Sequence, residues 1–156
     1  MKTVQDDTGK RYLLLKQSEH ASLVRDPQNG NECYVRNDRL ETVDDATALE
    51  TAARTIPDPH RRLLTTVHDE ETLGLLIELS ERGPIDVRTL LDRYTLCESD
   101  LHGRLTVLTS AGLLAETAVA GEPAYQLTES CRTALETFRT GPIVDSPSET
   151  RLEGEP

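Results

Sequence analysis

The chain has 156 residues, with 28 acidic against 17 basic side chains (formal charge −11), four Tyr, one Phe and no Trp. That length makes one domain, or one domain with a small appendage, and a core so poor in aromatics rests on Leu, Val, Ile and Ala, favouring small helical folds over a large sandwich. No apolar run approaches the ~20 residues of a membrane span, and MKTVQDDTGKRY at the start lacks a signal peptide's apolar stretch, so a cytoplasmic protein with no membrane contact is expected.

Residues 10–37 read as a three-stranded antiparallel meander. RYLLLKQ (11–17) and ASLVRD (21–26) are separated by Ser18-Glu19-His20, and Pro27-Gln28-Asn29-Gly30 then leads into ECYVRN (32–37). Pro suits the first central position of a turn, and Asn-Gly supplies the positive-φ residues of a tight hairpin. Three short strands make no independent core, so one face must pack on the C-terminal remainder of the chain.

From Asp44 the period changes. Leu49, Ala52, Ala53 and Ile56 predict one face of a short helix stopped by Pro57, and Asp58-Pro59 opens another that runs through HRRLLTTV. Asp69 is placed to cap a third helix, with Glu70 and Glu71 at its positive dipole end and a Gly83-Pro84 stop. Val87, Leu90 and Leu91 in IDVRTLLDRYT form an amphipathic turn set, and Thr95-Leu96-Cys97 is a connection of helix-turn-helix length. In CESDLHGRLTVLTSAGLL (97–114), Leu101, Leu105 and Leu108 share a face, and Gly112 fits a left-handed cap. Thr95 and Glu98 match a T-x-x-E capping box, which would give the acid a role in helix geometry. Residues 114–117 and 125–128 bracket AVAGEP as a hairpin with Gly121 and Pro123 in its loop, and Ser130 is placed to cap a last helix with the face Cys131, Ala134, Leu135, Phe138. That face is either core or a dimer seam. The tail 141–156, GPIVDSPSETRLEGEP, reads as a disordered acidic tail.

The order helix, helix, turn, helix, two-stranded wing, helix over residues 69–139 resembles the winged helix-turn-helix superfamily of transcriptional regulators. IDVRTLLDRYTLCESDLHGRLTVLTSAGLL is similar to its thirty-residue core without a gap. The expected fold is mainly α with small β elements (α+β): a β meander over 1–43, linking helices over 44–68, a winged helix-turn-helix domain over 69–140 and the tail. The resemblance implies a homodimer on double-stranded DNA, with a recognition helix about 98–111 in the major groove and a wing about 114–128. Placed on the face opposite the Leu row are Ser99, His102, Gly103, Thr106 and Ser110, with Asp100 and Arg104 toward one flank; Arg88, Ser99, His102, Gly103, Arg104 and Thr106 are the candidate nucleic-acid-binding residues.

Charge pulls the other way. Residues 84–130 hold three bases (Arg88, Arg93, Arg104) against seven acids, so counterion release on phosphate contact would be small. Only Lys2, Lys10 and Lys16 are lysines, and an acid-rich, lysine-poor composition resembles that of proteins from salt-accumulating archaea, where charges are screened within ~3 Å; a winged domain after a short β element resembles the small regulators of those archaea. The alternative is a winged-helix adaptor that no longer binds DNA and meets a protein partner through the acidic helix or the β meander. Cys33, Cys97 and Cys131 stand alone and the four His are scattered, so no metal site, cofactor or catalytic set is expected. Cys97 suits a small buried residue, and His60-Arg61-Arg62, the one basic cluster, a solvated face.

Overall fold

The computed structural model of the chain describes residues 1–140, and the expectation for the tail lies outside them. The architecture is α+β, in two compact units, Met1–Arg61 and one beginning at Arg62.

The first unit is a five-stranded antiparallel sheet with one short helix. Its strands are β1 (Lys2–Asp6), β2 (Arg11–Gln17), β3 (Ala21–Arg25), β4 (Glu32–Arg36) and β5 (Leu40–Val43), in the order β4-β3-β2-β1-β5. The meander β2–β3–β4 stands where the sequence places it, but the sheet has five strands, not three, so its β part is larger than the small meander expected. β1 and β5 escape a local reading because each is short and they pair with one another, Thr3 opposite Val43. Asp6 shapes the β1–β2 turn by accepting from the Thr8 and Lys10 amides and the Thr8 hydroxyl. In the β3–β4 turn Gly30 supplies φ +75° and the buried Asp26 takes a 2.6 Å ion pair from Lys10. Val4, Tyr12 and Val24 form the core, with Leu14, Val35 and Leu40 against them.

Helix α1 (Ala48–Ala53) packs on β1 and β2 and starts in a reciprocal capping box, Thr47 with Glu50. Its expected apolar face is overturned: Leu49 is 83% exposed, whereas Thr51 is buried with its hydroxyl 2.7 Å from that of Thr3. A six-residue helix has room for one docking contact, and here a hydroxyl pair sets the face.

Next come α2 (Asp58–Thr66), α3 (Glu70–Arg82), β6 (Ile85–Asp86), α4 (Val87–Arg93), α5 (Glu98–Ser110), β7 (Leu114–Val119), β8 (Glu122–Leu127) and α6 (Glu129–Arg139). The three strands form a sheet in the order β6-β8-β7. The core of the second unit is leucine-rich: Leu75, Leu76 and Leu79 from α3, Leu90 from α4 and Leu101, Leu105 and Leu108 from α5. Cys131, Ala134 and Leu135 of α6 are buried in that core, whereas Phe138, the last residue of the expected face, is 52% exposed.

Caps refine the boundaries. Asp69 caps α3 through the Thr72 amide as expected, and Gly83 ends it at φ +75°. Asp86, which ends β6, caps α4 through the Thr89 amide. Helix α2 begins at Asp58 itself, so Pro59 is its second residue. The Thr95/Glu98 capping box does not form: the N-cap of α5 is Cys97, whose side chain meets the Ser99 hydroxyl at 3.5 Å, and Glu98 is the first helical residue. Leu96 packs against the core, which holds the residues before Cys97 outside the helix. Thr128, rather than Ser130, caps α6, and its hydroxyl also donates to the Gly112 carbonyl at 2.8 Å, tying the helix start to the exit of α5. In the β7–β8 hairpin, Ala120 and Gly121 both have positive φ, as a two-residue hairpin turn requires. Pro123 lies in β8 opposite Ala118, not in the loop, at a point that β6 does not reach.

Candidate nucleic-acid interface

Helix α5 buries Leu101, Leu105 and Leu108 to 1% exposure or less, and this orients everything else on it. The opposite face presents Ser99, His102, Gly103, Thr106 and Ser110, all exposed. None of the five carries a carboxylate. Glu98 and Asp100 flank the row: Glu98 stands 3.8 Å from His102, and Asp100 is turned toward Arg104. Thr106 donates its hydroxyl proton to the His102 carbonyl at 2.8 Å and keeps its lone pairs outward. Gly103 sits mid-helix with nothing within 4 Å of where a Cβ would stand, so no packing inside the chain requires a glycine.

Arg104 has a different place from the one the sequence suggests. Its side chain is only 18% exposed, with Nε donating to Asp100 (2.9 Å), Nη1 to Asp69 (2.6 Å) and Thr72, and Nη2 to Glu71 (2.9 Å). Four of the five guanidinium protons are thus used within the chain. The residue fastens α5 to the start of α3. The Thr72 amide, and then Arg104, hold the Asp69 carboxyl below the usual carboxylate range. Of these partners only Asp100, four residues back on the same helix, was readable from spacing.

Arg88 is exposed in the first turn of α4, and neither it nor Arg93 has an ion pair among the described residues. Arg82 and Arg139, by contrast, are paired with Glu78 and Glu81. Tyr94 fixes the end of α4 to α3 through Glu78, which sets where the following turn delivers α5. Between α3 and α5 runs a groove of about 420 Å³ lined by His68, Asp69, Ser99, Gly103, Arg104 and Val107 among others. Val107, 55% exposed four residues beyond Gly103, is an apolar addition to the outward surface that the sequence reading did not single out. The β7–β8 tip, Ala120-Gly121 with Glu122, offers a tight turn without a cation.

Cys97 is exposed at the start of α5, and the Ser99 hydroxyl and then the Asp100 amide hold its thiol below the ordinary value. Among the described residues no group of three or more His, Cys, Asp or Glu is placed to hold a metal ion, and no helix is long and apolar enough to cross a membrane. The arrangement offers surface hydrogen bonding by hydroxyls, an imidazole and exposed backbone, on a helix braced from behind. No curated protein and no solved structure matches the chain. A family model does match, over residues 1–139, and the chain belongs to that family of unknown function, DUF7346.

Proposed function

We propose that residues 69–140 form a winged helix-turn-helix domain that binds double-stranded DNA, and that the protein is a transcriptional regulator of a salt-accumulating archaeon, working in the cytoplasm. Helix α5 enters the major groove and the β7–β8 hairpin is the wing. One observation carries the reading: α5 presents an outward row of Ser99, His102, Gly103 and Thr106, with the exposed carboxylates Glu98 and Asp100 at its edges, the second of them paired with Arg104. Ser and Thr hydroxyls and an imidazole meet base edges and phosphates alike, and a residue without a Cβ lets the backbone approach closely. Arg104 acts as a positioning residue, neutralising the acids on the flank rather than contacting DNA.

The electrostatic share of affinity is small on this reading. If Arg88 and Arg93, which precede α5 in sequence and have no ion pair among the described residues, are the phosphate contacts, a log–log salt slope of about −2 per protomer is expected. Binding is then weak at low salt but persists at molar salt. A second reading, an adaptor for a protein partner, is favoured by the neutralisation of the only cation of α5 and by the exposed Val107 beside Gly103.

Selection from a randomised duplex library at about 2 M KCl, where charges beyond ~3 Å are screened, separates the two. Recovery of a consensus whose affinity falls about tenfold or more in a Ser99→Ala/His102→Ala variant supports DNA recognition. Failure to retain any duplex at low or molar salt would leave the adaptor.

A further inference from the structure

Strand β4 is the outer strand of the five-stranded sheet and, among the described residues, pairs with β3 alone. The ladder between them is bracketed by two hydrogen bonds, from the Asn37 amide to the His20 carbonyl and from the Asp26 amide to the Asn31 carbonyl. Bonded pairs alternate along an antiparallel ladder, so Val35 with Ser22 and Cys33 with Val24 are bonded too. Glu32, Tyr34 and Arg36 therefore turn their backbone N–H and C=O groups outward, where no strand lies among the described residues. All three residues are exposed, Tyr34 to 67%. Proteins commonly blunt such an edge with charges, above all lysine, with proline or with a bulge; ECYVR has no lysine, proline or bulge, and its two charges, Glu32 and Arg36, are of opposite sign.

We propose that this edge pairs with the same edge of a second copy of the chain, antiparallel about a two-fold axis through Tyr34. In that register Glu32 lies opposite the second copy's Arg36, Tyr34 opposite its counterpart, and Arg36 opposite the second copy's Glu32. The three outward-facing residues of each strand coincide with those of the other. Three bonded pairs result, each exchanging two N–H···O bonds. The same alignment puts opposite charges face to face at both ends, where like charges would repel. Sliding the strands by two residues loses a bonded pair and sets charges against tyrosine. At the other edge, self-pairing of Leu40–Val43 about its centre sets Glu41 against Thr42, with no charge complement.

The side chains are available for it. Glu32 has no ion pair among the described residues, since Arg25, opposite it on β3, does not come within 4 Å. Arg36 already meets Asp38 at 2.7 Å through Nη2, and its other donors leave room for a second carboxylate. Pairing makes one ten-stranded sheet across the dimer. Five residues a side give an interface below the usual ~1,200 Å², consistent with a dissociation constant on the order of 10–100 μM. The dimer does not depend on DNA binding, and it uses no residue of α6.

Sedimentation equilibrium of the full chain, reduced so that Cys33 forms no disulfide, tests this at concentrations up to about 1 mM. A salt of about 0.5 M KCl keeps charges in direct contact coupled while screening the rest. The Tyr34 N–H points away from β3, so Tyr34→Pro removes an outward donor without taking a bond from the sheet and should leave monomer with an unchanged melting profile. Glu32→Arg and Arg36→Glu should each weaken the dimer about tenfold, and the double variant Glu32→Arg/Arg36→Glu should restore it to within about threefold. This cycle does not depend on whether the proline variant folds. A wild-type chain monomeric throughout, a folded Tyr34→Pro chain that associates like wild type, or a double variant no tighter than the singles would overturn the proposal.

Discussion

Replacing Gly103 with alanine should make the protein more stable and its DNA complex weaker, an opposition that packing alone does not produce. A glycine in a helix interior costs about 1 kcal/mol against alanine. At this position a Cβ meets nothing within 4 Å and the backbone has no positive φ, so the whole gain should be realised. For a unit of this size that corresponds to a rise in melting temperature of about 4–8 °C. On the DNA side, a methyl group projecting from a face in close contact should cost about tenfold in affinity, or ~1.4 kcal/mol. Gly74 in α3 is the control: it too has nothing within 4 Å, so Gly74→Ala should give the same thermal gain and leave DNA affinity unchanged. Differential scanning calorimetry and fluorescence anisotropy on a selected duplex read the two quantities. A Gly103→Ala protein that melts higher and binds DNA as tightly as wild type would refute the contact. One that melts lower would refute the open surface on α5.

The same geometry sets three further outcomes. Leu105→Ala empties a position 1% exposed at the centre of the leucine core and should cost about 2–5 kcal/mol in chemical denaturation; a loss under ~1 kcal/mol would contradict the core assignment. The cysteines should alkylate in the order Cys97, Cys33, Cys131 by mass spectrometry near neutral pH. Cys97 is exposed with a lowered pKa, whereas burial pushes the Cys131 thiol up to about 11 and keeps it protonated in the folded state. Asp6 is held at about 2, first by the Thr8 hydroxyl and then by the Lys10 and Thr8 amides and the Tyr12 hydroxyl. Its stabilising effect is complete above the unfolded value near ~4 and is lost as pH falls through about 2, so Asp6→Asn should flatten the acid limb of the stability profile in that window.

The parts of this chain that were legible in its sequence are those set by local pattern. Leu101, Leu105 and Leu108 fixed the buried side of α5, and the turn residues around Pro27 and Gly30 delimited β2, β3 and β4. Asp69 announced the start of α3. What escaped depended on partners far along the chain. β1 is a strand because β2 and β5 pair with it on either side, β5 because it pairs with β1, and Thr51 faces inward because Thr3 waits there. The T-x-x-E pattern at Thr95 pointed to a cap that Leu96 forbids by packing on the core. The outward row on α5 came from the helical wheel alone, but the state of Arg104 did not. Its i−4 partner Asp100 was in view, while Asp69 and Glu71 reach it only through the packing of α3 on α5.

Whether the outward face of α5 reads DNA is tested most directly by mapping backbone amide shifts as a selected duplex is added to the labelled full chain. Perturbations should concentrate on residues 99–110 and the hairpin tip 119–122. Amides of the five-stranded sheet and of α6 should stay in place. Shifts confined to the sheet, or none at saturating DNA, would contradict DNA reading by α5.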